Sequence, residues 1–244
     1  MRPRGTGAAM LLALDTSCLT LSLALMNGAE VVEHVLEGPP RKQSQMLPEV
    51  IQTLLARHQV ALTALDGFVV GLGPGSFTGL RIGLSTIKGL AYALQKPVVG
   101  VSSLAALAME TAVGTEVFAL AVVKKGELYV GHFRRTETGV EVLSAERSLT
   151  VAQVAEVLAA TPGAVACGPA VADYRASLPA AQVLVAPSVP SAVMLARLAT
   201  LPAHYRKEDV FALEPHYLRG SGAEENPKFP PLLGVPAVVR LKED

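Results

Sequence analysis

Gly71-Leu72-Gly73-Pro74-Gly75-Ser76-Phe77-Thr78-Gly79-Leu80-Arg81-Ile82-Gly83 is a glycine-rich loop that leaves an apolar run and opens a helical pattern. Ser76 and Thr78 can cap the following helix, and Gly73 and Gly75 free the backbone for positive φ. Such a loop exposes N–H groups at the positive end of a helix dipole, which suits an anion without requiring one. Two nucleotide templates fail on its residues. A Walker-type phosphate loop needs Gly-Lys-Ser/Thr, whereas Gly79 is followed by Leu80 and Arg81, and Lys88 lies deep in the helix. A dinucleotide fingerprint needs glycine where Thr78 stands. A tight strand-to-helix turn with close helix packing is the favoured reading.

Upstream of the loop, Met10 to Leu14, Leu19 to Met26 and Val31 to Leu36 are apolar runs, and Asn27-Gly28 marks a turn between the last two. They predict an antiparallel meander. Met46, Leu47, Val50, Ile51, Leu54 and Leu55 then recur at helical spacing, and Pro48 suits a first turn, so the regular helix is predicted to begin near Leu47. Phe68 to Leu72 reads as a strand, Phe77 to Leu94 as a helix, Pro97 to Val101 as a strand and Leu104 to Ala112 as a helix. The order β-β-β-α-β-α-β-α predicts an α/β fold with a mixed sheet flanked by helices, the ribonuclease-H-like half of an actin-like two-lobed fold.

A second unit starts near Val113. Val117 to Val123 and Glu127 to Phe133 form a hairpin pattern around Lys124-Lys125-Gly126, and Val140 to Leu143 adds a strand. Val151 to Ala159 and Ala192 to Thr200 read as helices, with Ala164 to Cys167 a short buried strand between them. The expected organisation is therefore a disordered extension (1–9), a first lobe carrying the partner-binding helices (10–112), a second lobe (113–220) and a proline-rich tail (221–244).

Lys plus Arg and Asp plus Glu both number 21, so zero net charge gives no long-range pull toward nucleic acid or anionic membrane. Half the residues are hydrophobic and 17% are charged, less polar material than usual for covering a monomer, which suggests apolar surface met by a partner. Cys18 and Cys167 lie far apart without metal-type spacing, as expected of core thiols in a reducing compartment. The apolar Ala8 to Leu14 run behind Arg2 and Arg4 is too short for a secretory signal and is interrupted by Asp15, and no stretch has the length of a bilayer span. A cytoplasmic location is expected.

Between Phe77 and Leu94 only Arg81 and Lys88 are charged, although a helix covering one face of a sheet should carry a broad polar stripe. Either the chain covers both sides of this helix or another polypeptide does. The second reading places it beside the helix ending near His58, the two meeting a like pair in an intermolecular four-helix packing. Met46, Leu47, Val50, Leu54, Leu80, Leu84 and Ile87 are the contact candidates, and glutamate at Leu80 is expected to abolish association.

Leu12-Ala13-Leu14-Asp15-Thr16-Ser17, Gln45-Met46-Leu47-Pro48, the Gly73-Pro74-Gly75-Ser76-Phe77-Thr78-Gly79-Leu80-Arg81 segment and Pro97-Val98-Val99-Gly100-Val101-Ser102-Ser103-Leu104 together resemble the TsaB (YeaZ) family. Gly126-Glu127-Leu128-Tyr129 and Glu214-Pro215-His216-Tyr217-Leu218-Arg219 extend the likeness. The resemblance implies an actin-like fold and a noncatalytic, dimerising role in threonylcarbamoylation of adenosine beside the tRNA anticodon. The chemistry would belong to a paralogous partner, TsaD, with TsaE in the larger assembly, a homodimer when the chain is alone, and tRNA met only through the complex.

The resemblance also implies that the catalytic paralogue carries two histidines four apart after the fifth strand, where this chain has Ser103 and Leu107. None of His34, His58, His132, His204 and His216 stands at helical ligand spacing from another, so no metal and no cofactor are expected. Asp15 and Thr16 occupy the turn where actin-like kinases hold phosphate, here read as vestigial because the turn lacks glycine and Val122 replaces an acidic residue in the second lobe. The alternative is a small-molecule kinase or hydrolase of the same fold, including a glycoprotease-like one. Gly73-Pro74-Gly75-Ser76-Phe77, however, is not a nucleophile elbow.

Overall fold

The computed structural model describes residues 9–37, 40–184, 186–201 and 210–218, with the backbone alone for 33–37 and 40–45. Of the expected extension (1–9) all but residue 9, the tail at 221–244, His204 and Arg219 lie outside the described residues. Three antiparallel strands, β1 (Met10–Asp15), β2 (Thr20–Asn27) and β3 (Glu30–Glu37), open the chain as the meander predicts. β4 (Gly67–Gly71) and β5 (Val98–Val101) add in parallel beside β1, giving a five-stranded sheet of order β3-β2-β1-β4-β5.

Strand side chains alternate between faces, and β1 shows what that does here. Leu12 and Leu14 enter one core with α1 (Pro40–Arg57) and α2 (Phe77–Leu94), while Ala13 faces the opposite core. The helix predicted to begin near Leu47 instead starts at Pro40, so Pro48 stands inside it. Pro40 takes the first-turn position that the pattern assigns to Pro48. An interior proline forfeits one backbone hydrogen bond, and burial of Leu47, Val50, Ile51, Leu54 and Leu55 offsets that loss. α2 has the predicted bounds: the Ser76 hydroxyl accepts from the Gly79 N–H at 3.2 Å, and Gln95 closes the helix in the left-handed region.

The second sheet, of order β8-β7-β6-β9, is built from β6 (Glu116–Lys124), β7 (Glu127–Arg135), β8 (Val140–Thr150) and β9 (Val165–Cys167). α4 (Val151–Ala159) and α5 (Ala170–Tyr174) cover one of its faces. α3 (Ser103–Met109) packs on β6 and β7 and is buried along its whole length, because it lies where the two units meet.

The expected boundary of the second lobe needs correction. α6 (Ala192–Ala199) packs on β1, β2 and β4 of the first sheet, and its Ala192 N–H donates to the buried Ser22 hydroxyl at 2.8 Å. Ala13 and Ala24 make room for this helix on the face opposite α1 and α2. Residues 210–218 also return to the first unit, with Leu213 buried in the α1–α2 core. An apolar helix carrying Leu195 and Leu198 must cover a sheet face, and the first sheet would otherwise have one bare.

Candidate docking face and the turn beneath it

The seven contact candidates divide sharply. Met46 is 43% exposed, but Leu47, Val50, Leu54, Leu80, Leu84 and Ile87 are 5% exposed or less and fill the chain's own core. The correction has a simple cause: helical periodicity of large apolar residues marks the face a helix turns to its own sheet. Glutamate at Leu80 would therefore attack the fold rather than report on association. The outer face is recorded instead by missing charge.

Between α1 and α2 runs a groove of about 650 Å³. Pro48, Gln52 and Ala56 line one side and Ser85, Thr86 and Gly89 the other, with Ile51, Leu55 and Leu90 among the residues beneath; none of the described lining residues is charged. Gly89 would accept a Cβ with nothing within 4 Å, so the groove is open at its centre.

On its other flank α2 is held by residues 210–218. The Arg81 Nε–H donates to the Tyr217 hydroxyl at 2.9 Å, and its guanidinium lies 3.8 Å from the centre of the Phe77 ring. The Lys88 ammonium donates to the Phe211 carbonyl at 3.2 Å, so both charges of α2 are committed to this strap. The strap is anchored by the His216 N–H, which donates to the Leu72 carbonyl at 2.8 Å.

The glycine-rich loop grips the β1–β2 turn. The Ser76 N–H donates to the Ser17 carbonyl at 2.7 Å, and the Thr16 hydroxyl donates to the Gly79 carbonyl at 2.8 Å. A Cβ on Gly75 would lie 2.2 Å from the Ser17 carbonyl oxygen, and one on Gly79 would lie 2.2 Å from that of Thr16. These glycines therefore serve close approach between helix and turn. Gly73, at φ +85°, directs the loop toward Ser103, with Pro74 buried beside it and Thr78 exposed.

Asp15 is fully buried and turned inward. Its Oδ1 accepts from the Ser17 N–H at 2.8 Å and hydroxyl at 2.6 Å, and its Oδ2 accepts from the Ser103 hydroxyl at 2.5 Å. Burial pushes its carboxyl above the usual carboxylate range against the lowering pull of Ser103 and Ser17. The Cys18 thiol is pushed up to about 12, mainly by burial and further by the Asp15 charge. Asp15 thus ties the first turn to α3.

This arrangement can be set beside known proteins. The sequence model of the family described as TsaD, tRNA N6-adenosine threonylcarbamoyltransferase, matches residues 37–182, more than half of the chain. The solved structure of YeaZ from Pseudomonas aeruginosa superposes with a TM-score of 0.75 at 32% identity, covering 86% of this chain and 100% of that one. The chain belongs to this family, on its TsaB (YeaZ) branch. The Escherichia coli K12 protein named tRNA threonylcarbamoyladenosine biosynthesis protein TsaB is 35% identical over 133 residues, 53% of this chain and 57% of that relative. A tRNA N6-adenosine threonylcarbamoyltransferase of Geotalea daltonii is 32% identical over 133 residues, 46% of this chain and 39% of that relative. The chain thus aligns with about half the length of these curated relatives. The actin-like, ribonuclease-H-like fold expected from the element order is the fold of this family.

Within the TsaB fold, the positions read against the catalytic paralogue are both committed to packing. Ser103 serves Asp15 and also accepts from the Gly73 N–H at 3.1 Å, and Leu107 is buried between the two units. Among the described residues no three of His, Cys, Asp and Glu gather as metal ligands would. No described helix is long and apolar enough to cross a membrane. Reading the sequence missed the lining residues Gln52, Ser85, Thr86 and Gly89, whose shared signal is that none is charged or large and aliphatic.

Proposed function

We propose that this chain is a noncatalytic docking subunit of tRNA threonylcarbamoyladenosine biosynthesis, with a TsaD-type transferase as the partner seated on the outer face of α1 and α2. The observation that carries this reading is the groove between those helices, uncharged and open among the described residues. An interface core is depleted of charge relative to ordinary surface, and helix pairs meet by interlocking side-chain ridges. Of the seven residues expected at the contact, Met46 is exposed but does not line the groove, and the other six are buried in the core beneath α1 and α2.

The names of the relatives support the pathway, and the inward-turned Asp15 supports a noncatalytic role over phosphate transfer at the first turn. The fuller assembly proposed for the cytoplasm includes TsaE, with tRNA met through TsaD and the free chain pairing with itself. Reconstituting tRNA modification with TsaD, with and without this chain, tests the reading. The Gly89→Glu variant should lose both TsaD binding and stimulation while remaining folded. Turnover by this chain alone, or full stimulation by Gly89→Glu, would overturn the reading.

A further inference from the structure

We propose that the docking face has a third wall, the strap of residues 210–218, and that Phe211 with Tyr92 anchors the same protein partner that seats on the α1–α2 groove. The inference rests on the docking reading above and extends the face across α2 to its far flank. The groove alone is too small: eleven described residues line it, whereas a standard stable interface engages about 20–30 residues a side. The contact must therefore continue onto adjoining surface, and crossing α2 from the groove leads to the strap.

That flank has the chemistry of an interface anchor. Phe211 is 69% exposed and Tyr92 is 59% exposed, and their rings meet edge-on at 5.5 Å. Aromatic side chains are enriched where partners bind and dominate binding energy there. Phe211 is also fixed in place: Lys88 holds its carbonyl, and Leu213, two residues on, is 2% exposed in the core. An aromatic ring on a backbone already ordered costs little further entropy on binding.

The occupant is a protein surface apolar enough to fill the groove and wide enough to reach both walls, and purified TsaD is the probe. Full-length Phe211→Ala, Phe211→Asp and Tyr92→Ala, with Gly89→Glu as the groove variant, are to be titrated against TsaD by calorimetry. Self-association is to be followed by sedimentation equilibrium and folding by thermal melts. Both Phe211 side chain and Tyr92 face water, so the melts should stay within a few degrees of the parent. Phe211→Ala is expected to weaken TsaD binding about tenfold, Phe211→Asp more, and Tyr92→Ala less. Parental affinity in all three aromatic variants, with binding lost in Gly89→Glu, would overturn the third wall and leave the groove standing. Parental affinity in Gly89→Glu as well would remove the groove reading itself. Weakened self-association with unchanged TsaD binding in the Phe211 variants would assign this wall to a second copy and overturn the proposal.

Discussion

Each face of the first sheet carries one helix poor in charge, α6 on one and α2 on the other, yet the two end differently. α6 carries a single charge, Arg197, and is enclosed: small Ala13 and Ala24 let it approach, Ser22 caps its first turn, and α3 packs beside it. α2 carries two charges, both drawn to the strap, and buries only Leu80, Gly83, Leu84, Ile87 and Ala91 of its length. The lesson is that low charge accompanies both a helix enclosed by the same chain and a helix with one face left open. The number of charges does not separate them.

The largest effect expected is on the inner side of α2. Ile87→Ala, at a fully buried position, should cost about 2–5 kcal/mol and lower the melting temperature severely. Near-parental melting would mean that the α2 core is not packed as described.

Gly79→Ala sharpens the contrast within a single helix. The added methyl meets the Thr16 backbone and should cost about 1–3 kcal/mol. Gly89→Ala, in open space on the same helix, should instead stabilise by about 0.5–1 kcal/mol. Opposite signs in denaturant titrations are the prediction; equal signs would erase the distinction between gripped and open glycines.

Asp15 offers a pH test of the inward-turned site. Its folded carboxyl is raised above the ordinary 3.8, so the folded state holds the proton more tightly than the unfolded one. This contribution is greatest below the ordinary value and falls away as pH rises toward the folded value. Asp15→Asn should therefore flatten that part of the stability curve. An identical melting-temperature profile in both proteins would contradict the buried arrangement.

The smallest effect belongs to the strap. Arg81→Ala removes an exposed hydrogen bond and a ring contact, and should cost only about 0.5–1 kcal/mol in thermal melts. Its influence on docking should exceed its influence on folding if the strap is a wall of the interface.

Much of the fold was legible because its signals are local. Ser76 capping and unbroken periodicity marked α2 end to end, and Asn27-Gly28 marked the β2–β3 turn. The start of α1 was misplaced because two prolines, Pro40 and Pro48, both suit a first turn. Leu80 and its neighbours are contact candidates by their apolar pattern alone, whereas large apolar residues at helical spacing report the inward face. The groove left only a negative trace, a run of small uncharged residues from Ser85 to Gly89 interrupted by Lys88 and Ile87, which belong to other sides of the helix.

By itself the amino-acid order determined the succession of strands and helices, the family, and the scarcity of charge on α2, since each is written in spacings of a few residues. Tertiary structure alone decided that α6 closes one face of the first sheet while α2 keeps an outer face open. It also decided that the motif glycines meet the Thr16–Ser17 backbone. The physical reason is that enclosure depends on which distant segment arrives to cover a surface, and residues 192–199 and 210–218 reach the first sheet from far along the chain.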